Sequence, residues 1–262
     1  LLATLMEGPS IVTTSDTEYP EFKKLRAQHV GFTTPVLPYA AHYLLDQPSA
    51  VTPGEEEHDL MFEHMRAHTV MFHGSAKRGH HKRTRMIEAL RSAAASAVQA
   101  DLRGLTSAWF RPSAGSPAPN ISVGGDFSHS ETARAYASSS LCLAPEGDTA
   151  TSRRLFDAMA GGCVPALFVD TKRMKPNLPF SATVDWRRVA LFGGTLECAF
   201  GTDAAAAVTV DWLASLLQPH HAEGLGCMSR RAQAAHRAHL SYRSGFGLVT
   251  ALLRELEPRA RV

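Results

Sequence analysis

Residues 141–169 read LCLAPEGDTATSRRLFDAMAGGCVPALFV. Two wholly apolar runs, 141–144 and 163–169, bracket a stretch of good helix formers at 153–160. The helix opens from a Pro-Glu-Gly-Asp-Thr-Ala-Thr-Ser loop at 145–152, rich in capping residues, and closes on Gly161 and Gly162. A strand that is apolar at every position has to be covered on both faces, which is the condition of a strand inside a parallel sheet. The pattern predicts a βαβ unit: two parallel, central strands joined by a helix that begins near Ser152.

The same alternation extends outward. The run HTVMF at 68–72 is of strand length and leads into a basic loop at 74–82; helix formers fill 83–100. A strand is expected at 105–110, a Pro/Ser/Gly loop at 111–120, and a helix at 130–137 with Ser130 as its cap. Downstream the pattern predicts a strand at 189–192, a helix at 204–217 and a helical region from 229 to about 257. Upstream it predicts a strand at 10–14, a helix at 18–27 and an extended segment at 30–37, broken by Pro35 and Pro38. The Pro-, Gly- and Glu-rich stretch at 47–58 reads as a linker or surface loop.

A chain of 262 residues accommodates one large domain or two modest ones, and 44% hydrophobic with 20% charged residues is ordinary for a globular protein. The net charge of +2 argues against wholesale coating of nucleic acid, so any anion site has to be local. Cys142, Cys163, Cys198 and Cys227 show no CxxC spacing, which excludes the usual structural zinc patterns. Cys142 and Cys163 lie in apolar runs and are expected as reduced, buried thiols on neighbouring strands, a disulfide being the alternative. No run approaches the roughly 20 apolar residues that span a bilayer, and no signal peptide or internal repeat is visible.

In an open parallel sheet, ligands bind beyond the carboxyl ends of strands, against helix N-termini whose free N–H groups favour anions. Two loops meet that description. The first runs Gly74-Ser75-Ala76-Lys77-Arg78-Gly79 and continues to Arg85; Gly74 allows close backbone approach and the bases suit a diphosphate. Its alternative is a solvated basic loop. The second is Glu146-Gly147-Asp148-Thr149-Ala150-Thr151-Ser152, running into Arg153 and Arg154. Arg154 and Asp157, three apart on one helical face, suit a phosphate and a ribose hydroxyl respectively. On spacing alone, an intrahelical Arg154–Asp157 ion pair is the competing reading.

Residues 138–186 resemble the signature of the exostosin family, glycosyltransferase family 47. The matching positions are Leu141-Cys142-Leu143, Pro145, Gly147-Asp148-Thr149, Ser152, Arg154-Leu155-Phe156, Ala158 and Gly162-Cys163-Val164-Pro165, followed by Leu178-Pro179-Phe180 and Asp185-Trp186. Phe72-His73-Gly74 followed by Arg85 is similar to the family's Phe-Arg-Gly…Arg segment, with His73 in place of Arg. Residues 31–39 resemble another family stretch, with Thr33 or Thr34 where Asp is usual. The resemblance implies an α/β fold of GT-B type, in which Rossmann-like parallel sheets flanked by helices face a cleft. Residues 1–58 would then be the remnant of an N-terminal, acceptor-side domain, and 59–262 the C-terminal nucleotide-sugar-binding domain with terminal helices.

The implied activity is inverting transfer of a sugar from a UDP-sugar to a glycan or polysaccharide acceptor. No essential metal or other cofactor is expected, nor any nucleic-acid partner. Gly74, Ser75, Arg78, Arg85, Gly147, Asp148, Thr149, Ser152, Arg154 and Asp157 would surround the donor, Arg154 on the diphosphate and Asp157, where the family more often has Glu, on the ribose. The resemblance also implies the Golgi lumen, a type II membrane anchor in a segment preceding this chain, and homo- or hetero-oligomers. An inverting transfer needs a general base within hydrogen-bond reach; Asp16, His42 and Asp170 qualify by residue type only. Trp186 and Trp212 are expected to pack in the core rather than stack on sugars. The competing functions are a catalytically silent exostosin-like scaffold subunit and a basic-loop polyanion binder.

Overall fold

The computed structural model describes residues 36–41, 45, 68–74, 84, 86–88, 121–124, 127–146, 150–169, 172, 177–193, 224–243 and 246–256. Five strands form one sheet: β1 (His68–His73), β2 (Ile121–Gly124), β3 (Ser139–Pro145), β4 (Val164–Phe168) and β5 (Leu191–Phe192). Their order is β2-β1-β3-β4-β5, and every neighbouring pair is parallel. The expected βαβ unit is present. β3 is the central strand, Leu141 facing Val164 and Pro145 facing Phe168 across the ladder to β4. Residues of both parities along β3 and β4 are buried, as two-sided cover requires.

Helix α1 (His129–Ala137) joins β2 to β3, and α2 (Arg153–Gly161) joins β3 to β4. The cap of α1 is Ser128, not Ser130: its Oγ accepts from the Glu131 amide while the Glu131 carboxylate accepts from the Ser128 amide. The displaced prediction has a clear cause, since a Ser-x-x-Glu box beginning two residues earlier satisfies two helix-end donors at once. Ser152 precedes α2 in extended conformation but makes no side-chain cap bond. At the other end Gly162 turns left-handed at φ 73°, and its amide closes on Ala158 and Met159. Ser229 Oγ donates 2.6 Å to the Gly162 carbonyl, docking α3 (Gly224–Ala235) on that turn.

Met71, Cys142, Ala144 and Leu167 lie on the sheet face that α1, α2 and α3 cover, and α4 (Phe246–Leu256) packs on the π turn that follows α3 and adds Ala251 to the same core. Cys142 and Cys163 are buried there but joined as a disulfide, Cα to Cα 5.8 Å, which overturns the expectation of reduced thiols. The apolar runs that bury both thiols also bring them side by side, and two thiols at that separation can be bridged without moving the backbone. The terminal helical region is interrupted by a π turn at His236–Leu240, and begins at Gly224 rather than 229. The β2 strand at Ile121–Gly124 was not expected, and β5 is shorter than the predicted 189–192 because a 3-10 turn occupies Trp186–Arg188.

The Leu-Pro-Phe and Asp-Trp positions are built into this corner. Trp186 is buried and its indole donates to the Pro179 carbonyl at 3.0 Å, while the Asp185 carboxylate caps the 3-10 turn through the Arg187 amide. Phe180, buried, holds a left-handed φ of 53°. Leu37, Tyr39 and Ala41 pack against the same cluster, Tyr39 on the Phe156 ring, and the Tyr242 hydroxyl donates 2.8 Å to the Pro38 carbonyl. The strands and helices predicted at 10–14, 18–27, 105–110 and 204–217 lie outside the described residues.

Candidate functional site

The chain leaves β1 for β2 on one side of it and then returns to β3 on the other, so the order reverses between β1 and β3. Such a reversal sends successive connections to opposite sides and opens a crevice beyond the strands' carboxyl ends. A cavity of about 310 Å³ lies there. β1 supplies its last residue, His73, and Gly74; the turn before α1 supplies Phe127. α1 supplies His129, Thr132 and Tyr136, and α2 supplies Arg153, Arg154 and Asp157.

Arg154, in the first turn of α2, reaches back to the end of β1. Its Nε donates 3.2 Å to the His73 carbonyl, and its guanidinium lies over the Phe72 ring, 5.5 Å from the centroid. Among the described residues the two terminal amino groups have no hydrogen-bond acceptor. Gly74 makes this reach sterically feasible: a Cβ there would stand 2.6 Å from a terminal nitrogen of Arg154 and 2.9 Å from Phe72 Cζ.

Asp157 is the buried carboxylate of the pocket, and its partner is Arg153, not Arg154: Arg153 Nε stands 3.3 Å from Oδ2. The expected competitor, an Arg154–Asp157 ion pair, is therefore replaced by an i,i+4 pair one residue earlier. That leaves Arg154 committed to β1. Tyr136 fills the pocket wall beside Asp157; burial pushes its phenol well above the ordinary range, and the Asp157 carboxylate adds to the rise. Its hydroxyl is thus a neutral donor at any working pH.

His73 is buried in the wall. Its ring stacks on Phe127, centroids 3.8 Å apart and planes 7° from parallel, and Nδ1 lies 3.4 Å from Thr132 Oγ1. Phe127 is two-fifths exposed, at 41%. On the rim, the Ser128 hydrogen bonds, hydroxyl first, hold the Glu131 carboxyl below its usual range, with smaller help from Arg134 and His73. Among the described residues no group of three or more His, Cys, Asp or Glu side chains converges as a metal site.

Of the residues singled out by sequence, Gly74, Arg154 and Asp157 meet at this pocket. Ser152 stands at the head of α2 without lining it. Ser75, Arg78, Arg85, Gly147, Asp148 and Thr149 lie outside the described residues, as do Asp16, His42, Asp170 and Trp212. Sequence reasoning did not place Phe127, His129, Thr132 and Tyr136 at the site, and it gave Arg153 no role of its own beyond following the second loop. β2 and the head of α1 carry no motif; only the Ser-x-x-Glu box at Ser128 marked where a helix would begin.

The sequence profile of the Exostosin GT47 domain matches residues 21–197. Among solved structures, WaaG, a glycosyltransferase involved in lipopolysaccharide biosynthesis, aligns over 93% of this chain and 61% of its own at 14% identity and a TM-score of 0.47. The GtfA/B complex aligns over 94% of this chain and 45% of its own at 13% identity and a TM-score of 0.44. The chain thus spans less than two thirds of the length of either. No curated protein matches the sequence.

Proposed function

The chain belongs to the Exostosin GT47 domain family, a glycosyltransferase family, and from that premise we propose that it is the donor-binding half of an inverting glycosyltransferase of GT-B type. Its donor is a UDP-sugar and its acceptor a glycan or polysaccharide hydroxyl. The observation that carries this reading is the pocket at the sheet's reversal point, which α2 lines with Arg154 in its first turn and the buried Asp157 three residues further along.

Departure of the nucleoside diphosphate builds negative charge on the bridging oxygen. A fixed guanidinium and a helix N-terminus aimed at that charge stabilise it without reorganising. The acceptor oxygen attacks the anomeric carbon from the opposite face, loses its proton to a base, and the bond to the diphosphate breaks. Asp157, held in place by Arg153, accepts from the ribose hydroxyls, and Tyr136 stands beside it as a donor. Charge neutralisation falls to Arg154 and the helix terminus rather than to a metal ion. The Cys142–Cys163 disulfide supports folding in an oxidising compartment such as the Golgi lumen.

The test is turnover. Incubating the protein with a panel of UDP-sugars, with and without glycan acceptors, should release UDP from one donor. Binding of UDP without turnover of any donor, in a protein carrying a complete acceptor domain, would favour the silent-subunit reading.

A further inference from the structure

We propose that His73 couples donor binding to a proton: it draws one from solvent as a diphosphate enters the pocket, so that affinity rises as pH falls through the histidine range. This rests on the pocket being a diphosphate site, as proposed above. The ring is fixed in the pocket wall at the end of β1, stacked on Phe127 and turned with Nδ1 towards Thr132 Oγ1. A threonine hydroxyl donates to a bare Nδ1 and accepts from Nδ1–H, so protonation demands at most rotation of that hydroxyl. The carbonyl of the same residue receives Arg154 Nε. Imidazole and guanidinium are thereby tied to one peptide unit on one wall of the cavity.

The charged groups around His73 oppose one another. From α2, Arg154 disfavours a second positive charge, with the Arg153–Asp157 pair also on the pocket wall. From α1, the Glu131 carboxylate favours it, and the exposed His129 lines the same cavity. A bound diphosphate brings two negative charges to this balance and tips it towards the imidazolium. Linkage fixes the consequence: if the anion raises the imidazole's pKa by one unit, affinity is about tenfold higher well below that range than well above it. A protein with arginine at this position would bind without such dependence, because a guanidinium stays charged throughout.

Calorimetry with UDP-glucose and UDP-galactose between about pH 5.5 and pH 8 tests this, since their diphosphate diesters keep a constant charge over the range where histidine titrates. The parent should bind about tenfold more tightly at the acid end, with net proton uptake seen across buffers of different ionisation enthalpy. His73→Gln should be flat at the parent's weak, high-pH affinity, and His73→Arg flat at the tight one. His129→Gln should keep the parent's slope. Should His73→Gln not fold, the NMR titration of the His73 ring in the parent decides: its midpoint must rise on saturation with UDP-sugar. A flat parent profile, a slope that survives His73→Gln, or one lost in His129→Gln overturns the coupling alone. No binding by folded parent at any pH overturns the diphosphate site, and the coupling with it.

Discussion

Arg154 is held at one end by the His73 carbonyl and the Phe72 ring, leaving its terminal nitrogens as the pocket's cationic surface. A charge-assisted hydrogen bond is worth about 1.5–3 kcal/mol. Arg154→Ala should therefore weaken UDP by roughly one to two orders of magnitude, about 1.4 kcal/mol being tenfold; an affinity within twofold of the parent would remove Arg154 from the site. Gly74→Ala probes the same arrangement from the other side. Its methyl would press on the Arg154 guanidinium and the buried Phe72 ring, so we expect UDP affinity to fall towards that of Arg154→Ala. Calorimetry on the two variants and their combination checks this, and additive losses would refute a shared origin.

Each helix end is a separate device. Losing the Ser128 side chain breaks the box on α1, and Ser128→Ala should cost about 1 kcal/mol in denaturant unfolding. The Glu131 half of that box carries a pH signature. Its carboxyl is held low in the folded protein, so its contribution is present above the unfolded value and lost as pH falls through the folded one. Glu131→Gln should accordingly lower stability at neutral pH and change it little at acid pH, which flattens the acid limb of the stability profile; an unchanged acid limb would show that the box forms only in part. At the far end of α2, Gly162→Ala forces a Cβ into the left-handed region, at a cost of about 1–2 kcal/mol. Differential unfolding of that variant against Ser229→Ala separates backbone strain from loss of the α3 contact.

At the scale of the molecule, the sheet is cross-linked at its centre. The Cys142–Cys163 bridge closes 21 residues of chain containing the whole of α2 and the loop before it. A loop of that length corresponds to about 3 kcal/mol of stabilisation in the chain-entropy description. The double variant Cys142→Ala/Cys163→Ala should lose that amount, read from the urea midpoint at unchanged slope. A midpoint equal to the parent's would mean that packing alone holds β3 against β4. Because α2 carries Arg153, Arg154 and Asp157, the bridge also steadies the element on which the pocket depends.

The central βαβ unit was legible because its code is local. Two unbroken apolar runs state that both faces are covered, and Gly162 marks the end of the helix between them. Arg154, Asp157 and Gly74 could be singled out for the same reason, each standing in or beside a short run with a mechanism attached. What the sequence could not carry were the relations among distant segments. Spacing put Arg154 and Asp157 on one face, but the helix paired Asp157 with Arg153 because the His73 carbonyl, 81 residues away, claimed Arg154. Two buried thiols read the same whether free or bridged until the ladder between β3 and β4 sets their separation. Phe127, Thr132 and Tyr136 join the pocket only because β3 pairs beside β1 and not beyond β2. That choice is made by long-range burial of the sheet's two faces, a free energy no local window contains.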